Sequence, residues 1–176
     1  MKSAPRQSAG APFRLEISAG AGRQFVPFLK RHMPRAHELL RTSLRELSLA
    51  LVGDARMSSL HRQFMGIDGP TDVLTFPLEE DARGRAISGE VVVCVPEARR
   101  RAGRSAGAVE RELLLYALHG MLHLSGYDDT TPLGYQKMHR KEDSILTRLG
   151  IGPVFQTAQA AKASPTTRHL RAPRRR

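Results

Sequence analysis

Apolar and polar positions alternate over "FRLEIS", residues 13–18, and again over "RELSLALVG", residues 45–53, where Leu47, Leu49 and Leu51 fall on one side. A period of two is that of a strand with one buried face, so both segments are predicted as strands. Between them Phe25, Phe28, Leu29, Leu39 and Leu40 can share one helical face, which predicts a helix over 23–42. Pro27 fits a first turn, and Pro34 predicts a break or kink. Gly53 and Asp54 signal a turn, with Asp54 as the expected N-cap of a helix over 55–65. Two prolines bracket a further strand in "GPTDVLTFP", residues 69–77. "EEDARGRA" then reads as a hairpin loop, and "SGEVVVCVP" as a strand apolar enough to be central. After Pro96 the chain turns helical in "EARRRAG" and again over about 108–125. A last helix occupies "TPLGYQKMHRKEDSILTRLG", with Thr131 as N-cap and Gly150 as its stop. Neither an internal repeat nor a mid-chain linker interrupts this order. The pattern predicts a single α+β domain with about four strands and five helices.

Composition narrows the picture. The chain has 176 residues, 40% of them hydrophobic and none of them Trp, so a folded domain with an aliphatic core is expected. Its formal charge of +11 is uneven: residues 156–176 hold six Lys or Arg and no acid, about half of the excess. That segment is predicted to be a disordered basic tail, either attracting RNA phosphates or another polyanion or simply solvated. Residues 1–11, rich in Ala, Ser, Gly and Pro, are predicted to be flexible, which leaves 12–155 as the folded domain. The single cysteine, Cys94, lies in a core strand and is expected to be an inert buried thiol, with no disulfide-linked partner. The N-terminus has no apolar h-region, and "VVVCV" and "LLLYAL" are too short to span a bilayer. A cytoplasmic protein without membrane association is expected.

The candidate chemistry lies in "LHGMLHLSGYDD", residues 118–129. His119 and His123, four apart, share one face of a helix. Gly126 is placed to end that helix in the left-handed conformation, and the chain can then bring residue 129 back toward the imidazoles. The pattern H-x-x-x-H-x-x-G-x-x-D offers three ligands and leaves a fourth position open for water, as a catalytic metal site does. Two nitrogens and a carboxylate oxygen suit Zn²⁺ best, although Fe²⁺ or Mn²⁺ would accept them. An H-x-x-x-H pair alone is more often two structural histidines; the spaced glycine and acid favour a metal. The H-E-x-x-H metalloproteases carry a glutamate beside the first histidine, where this chain has Gly120. Gly120 argues against peptide hydrolysis of that type, whereas phosphodiester hydrolysis fits both a metal and the basic charge.

"HGMLHLSGYDD" resembles the signature H-G-x-L-H-L-x-G-Y-D-H of the YbeY family of rRNA maturation endoribonucleases. "PTDVLTFP" resembles the family's P-T-D-V-L-S-F-P, and "SGEVVVC" its L-G-D-I strand, in the same order over roughly residues 45–150. The resemblance implies an α+β metalloprotein with a four-stranded sheet and one Zn²⁺ on a helix. It implies cleavage of single-stranded RNA in rRNA maturation and ribosome quality control, with ribosomal RNA and the ribosome or its proteins as partners. His119 and His123 take the family's first two ligand positions. The third is histidine in the family and Asp129 here, while His139 on the next helix is the other candidate. Aspartate is shorter, and its charge lowers the Lewis acidity of the ion. The family's arginine, six residues before Thr71, falls on Met65. Arg62, about one turn earlier, is the candidate catalytic cation or else a solvated surface residue. Asp72 is a candidate substrate-binding residue on the cleft edge, and Thr71 is expected to hold the strand start by local hydrogen bonds. Glu112 is expected either to support a histidine or to pair with an arginine. The arginines of 97–107 either meet RNA or form an exposed helical face, and Tyr116 and Tyr127 are expected to pack around the site rather than stack on bases. Met65 and Asp129 motivate a second reading, a non-catalytic RNA- or ribosome-binding assembly factor on the same fold.

Overall fold

The computed structural model describes residues 12–103 and 105–154; the expected flexible N-terminus and basic tail lie outside them. Four strands and five α-helices follow one another: β1 (Arg14–Ala19), α1 (Val26–Leu40), β2 (Glu46–Val52), α2 (Asp54–Met65), β3 (Val73–Glu80), β4 (Ala86–Cys94), α3 (Val95–Ala102), α4 (Ala106–Leu124) and α5 (Pro132–Arg148). The strands form one mixed sheet in the order β1-β2-β4-β3, parallel from β1 to β4, with β3 antiparallel on the edge.

The alternation read from β2 is the one that folds: Leu47, Leu49 and Leu51 are fully buried in the core they share with residues of α1, α4 and α5. β4 is covered on both faces, which explains its unbroken apolar run. Val91 and Val93 join the larger core, while Val92 and Cys94 join a smaller one beneath Met57 and Leu60 of α2. α4 is the central helix, with Leu113, Leu114, Ala117, Leu118, Met121 and Leu122 all at 0% exposure. No helix among the described residues is long and apolar enough to cross a membrane.

Several elements depart from expectation. The predicted helix over 23–42 is a 3₁₀ turn, Arg23–Phe25, followed by α1, and Pro34 sits inside α1 without ending it. Proline deletes one i→i−4 bond. The burial of Leu29, Met33, Ala36 and Leu40 along the same helix carries the segment through. Asp54 is not the N-cap of α2; Gly53 is, and the Asp54 carboxylate instead accepts two hydrogen bonds from Arg100 at 2.8 and 2.9 Å. β3 does not stop at Pro77 but runs on to Glu80 with register shifts, which an edge strand permits. Thr131 does cap α5, its Oγ1 accepting from the Gly134 N–H at 3.0 Å.

α4 lies unusually close to the sheet. A Cβ on Gly120 would come within 2.7–2.9 Å of Val91 and Thr75 side-chain atoms, and one on Gly89 within 2.6 Å of Leu124. The position that excluded a metalloprotease glutamate is thus one where the fold admits no side chain.

Candidate metal centre

α4 ends as its sequence predicts. Gly126 takes φ 87°, its N–H donating to the His123 carbonyl at 2.9 Å, and the Tyr127 N–H donates to the Leu122 carbonyl at 3.1 Å. These two bonds make a Schellman cap, which reverses the chain three residues after His123. Asp128 then closes a local turn, its carboxylate accepting from the Thr130 hydroxyl at 2.6 Å and the Thr130 N–H at 3.0 Å. Those bonds hold the Asp128 carboxyl below its usual range. Asp129, next to it, turns back to the helix. Gly134 lets the first turn of α5 rest against this loop, since a Cβ there would collide with the Asp128 carbonyl.

Among the described residues, His119, His123 and Asp129 are the set whose ligand atoms converge, all within 4.8 Å of one another. The two Nε2 atoms are 3.0 Å apart, and the nearest Asp129 oxygens lie 3.6 Å from His119 Nε2 and 3.8 Å from His123 Nε2. Tetrahedral Zn²⁺ with bonds near 2.0–2.1 Å has ligand–ligand edges of about 3.3 Å, so the donors are spaced to fit a divalent ion with small adjustment. All three side chains are 20–31% exposed, open enough for a substrate group.

Each histidine is oriented through its other nitrogen. His119 Nδ1–H donates to Glu142 Oε1 at 2.8 Å, and His123 Nδ1–H donates to the Tyr127 carbonyl at 3.1 Å. Both bonds leave the Nε2 lone pair for a metal. Burial pushes the His119 pKa down, but the Glu142 hydrogen bond and the charges of Glu142, Asp129 and Asp72 outweigh it and raise the net value.

Glu142 was not foreseen. It is 1% exposed, and its second oxygen accepts from His139 Nδ1–H at 2.5 Å. Its sequence signal was an acid on the apolar stripe of α5, between Met138 and Ile145, both buried. Of the two candidates for third donor, Asp129 meets the histidines, whereas His139 faces Glu142 and stacks toward His119 with ring centroids 6.1 Å apart.

The other candidates are placed as follows. Arg62, on the last turn of α2, is exposed and bonded to Asp68 at 2.5 Å. Asp72 Oδ1 accepts from Thr71 Oγ1–H and the Val73 N–H, the local role expected of Thr71, while its charge reaches His119. Glu112 supports no histidine and forms no ion pair among the described residues; its half-buried carboxyl is raised by burial, beside Tyr116. Arg100 and Arg101 both pair with Glu97, so much of the arginine run is engaged within the protein. Tyr116 is buried in the core, and Tyr127 packs against it under Lys137.

A family model described as Endoribonuclease YbeY matches residues 22–150. Endoribonuclease YbeY of Moorella thermoacetica is 41% identical over 115 residues, 60% of this chain and 74% of that protein. The Anaeromyxobacter sp. protein of the same name is 40% identical over 122 residues, 69% of this chain and 64% of that protein. A solution structure of TM1509 from Thermotoga maritima is similar with a TM-score of 0.51 at 27% identity, covering 88% of this chain and 99% of that one.

Proposed function

The chain belongs to the YbeY family of endoribonucleases, and from that membership we propose that it cleaves single-stranded RNA in the maturation and quality control of ribosomal RNA. The observation that carries the reading is the convergence of His119, His123 and Asp129, which would hold a Zn²⁺ ion. When bound, that ion supplies Lewis acidity to a phosphodiester.

The chain's own residues do the rest. Glu142 and the Tyr127 carbonyl fix the two imidazoles so that both Nε2 atoms face one point. Asp129 adds the negative charge that a third histidine would not, which favours retention of a dication and moderates its acidity. Both Glu142 oxygens already accept an Nδ1–H, so Glu142 orients rather than serving as a general base. Next to His123 opens a pocket of about 370 Å³ lined also by Thr75, Arg85 and Ser125, of a size to admit a nucleotide. Arg62, held by Asp68, is assigned no step, and Asp72 is read as shaping the cleft edge near His119.

The test is cleavage of end-labelled single-stranded RNA by the purified full chain, beside His119→Ala prepared identically. Cleavage that vanishes in the variant supports the reading. Equal cleavage in both points to a contaminant. RNA binding with no cleavage by metal-loaded wild type would favour an assembly factor, the reading that Asp129 and the 60% exposed Met65 at the arginine position motivate.

A further inference from the structure

Two open pockets meet beside the histidine helix. The first, described above, runs from His123 and Ser125 to Arg85. The second, of about 420 Å³, continues from Arg85 to Thr42, Arg41 and Arg45 on the α1–β2 loop. The two are physically joined, because Ser125 Oγ–H donates to Thr42 Oγ1 at 2.8 Å. Ser125 is the residue that caps the histidine helix, so the loop carrying Arg41 and Arg45 is anchored to the metal-binding helix itself.

The second pocket is basic, with three arginines against one aspartate, Asp81. Asp81 is engaged by Arg85, at 2.6 and 2.8 Å, and by the Arg83 and Arg85 N–H groups of the hairpin turn. Glu80 is the acidic residue of the first pocket. Arg41 and Arg45 have no ion-pair partner among the described residues, in contrast to Arg14, Arg62, Arg85, Arg100 and Arg101. Arg41 also closes α1 at φ 57°, the left-handed conformation where glycine is the low-strain residue. Two exposed guanidinium groups with no ion-pair partner among the described residues, on a loop hydrogen-bonded to the end of the metal-binding helix, leave a basic surface open to an anion.

We infer that Arg41 and Arg45 form a phosphate-gripping surface for the RNA strand as it leaves the metal centre past Arg85, an inference that rests on the nuclease reading above. These residues position substrate and take no part in bond cleavage. Guanidinium groups bind phosphate without regard to base, so the surface confers affinity and strand direction rather than sequence preference.

The experiment is fluorescence anisotropy of a labelled single-stranded 12-mer RNA, titrated with His119→Ala protein at several salt concentrations. The same titration is made with Arg41→Gln and Arg45→Gln added, and with a control pair, Arg56→Gln and Arg111→Gln, on other exposed surfaces. Each phosphate contact on a single strand contributes about 0.7 to the slope of log affinity against log salt. Loss of both arginines is expected to lower that slope by about 1.4 and to raise Kd about tenfold near physiological salt, with the control pair close to the parent. Equal shifts in both pairs would mean that only net charge matters, and no shift would mean that RNA takes another route; either overturns the inference. Wild-type cleavage is scored separately, so an active enzyme with an indifferent Arg41/Arg45 pair defeats this inference alone. A wild type that neither binds nor cuts RNA defeats the nuclease reading with it.

Discussion

The Glu142 carboxylate, buried to 1% exposure, reaches His119 Nδ1 at 2.8 Å with one oxygen and His139 Nδ1 with the other. Replacing it by Gln keeps the shape but supplies an N–H where one of the two imidazoles offers its own. One histidine must then turn over its tautomer or lose its bond. Metal affinity of Glu142→Gln is expected to fall about 10–100-fold, the usual effect of removing a ligand's supporting partner. Competition against a chromophoric chelator measures this without reference to activity; an affinity equal to wild type would remove Glu142 from the metal site.

Asp129 is the nearest acid to both Nε2 atoms, so Asp129→Ala is expected to weaken metal binding more than Glu142→Gln does. Asp129→His restores a neutral nitrogen donor and is expected to recover most of the affinity. Retention of metal by Asp129→Ala would return His139 to consideration as the third donor.

Gly120→Ala places a methyl group 2.7–2.9 Å from Val91 and Thr75, both β-branched and stiff about χ1. The helix must lift from the sheet, at about 1–3 kcal/mol. Urea unfolding monitored by circular dichroism reads this as a lower midpoint at unchanged m-value.

Asp81 is held down to about 2 by Arg85 and the turn's N–H groups. Its folded pKa lies below the unfolded value of 3.8, so its contribution to the β3–β4 hairpin is present above that value and lost as pH falls toward 2. Carboxyl NMR titration should show the low value in wild type and a rise toward 3.8 in Arg85→Ala.

Burial pushes the Cys94 thiol up to about 11. The folded protein is expected to resist a thiol reagent at pH 8 and to react with one equivalent once unfolded. Rapid labelling of the native protein would contradict its burial between β4 and α2.

What was legible in the sequence is what is local. The alternation of Leu47, Leu49 and Leu51, the Thr131 cap and the Gly126 reversal each depend on neighbours within a few residues, and each appears where the pattern put it. So do His119 and His123, whose spacing is set by one helical turn. The Glu142–His119 bond joins residues 23 apart on different helices, and helical periodicity in either one says nothing of their meeting. Pro34 and Pro77 misled for a related reason, since local propensity was outweighed in one case by core packing along α1 and in the other by an edge position in the sheet. Asp54 has the residue type of an N-cap, but Arg100, 46 positions away, takes its carboxylate.

Two of the three donors ride on α4, whose register is locked by its contact through Gly120, while Asp129 stands on a loop outside both apolar cores. A change at residue 129 therefore alters the ligand field without repacking the interior. Exchange between aspartate and histidine shifts the ligand shell by one unit of charge and moves its preference between harder and softer ions. Metal selectivity in this architecture is thus open to single-codon drift, with foldability insulated from the outcome.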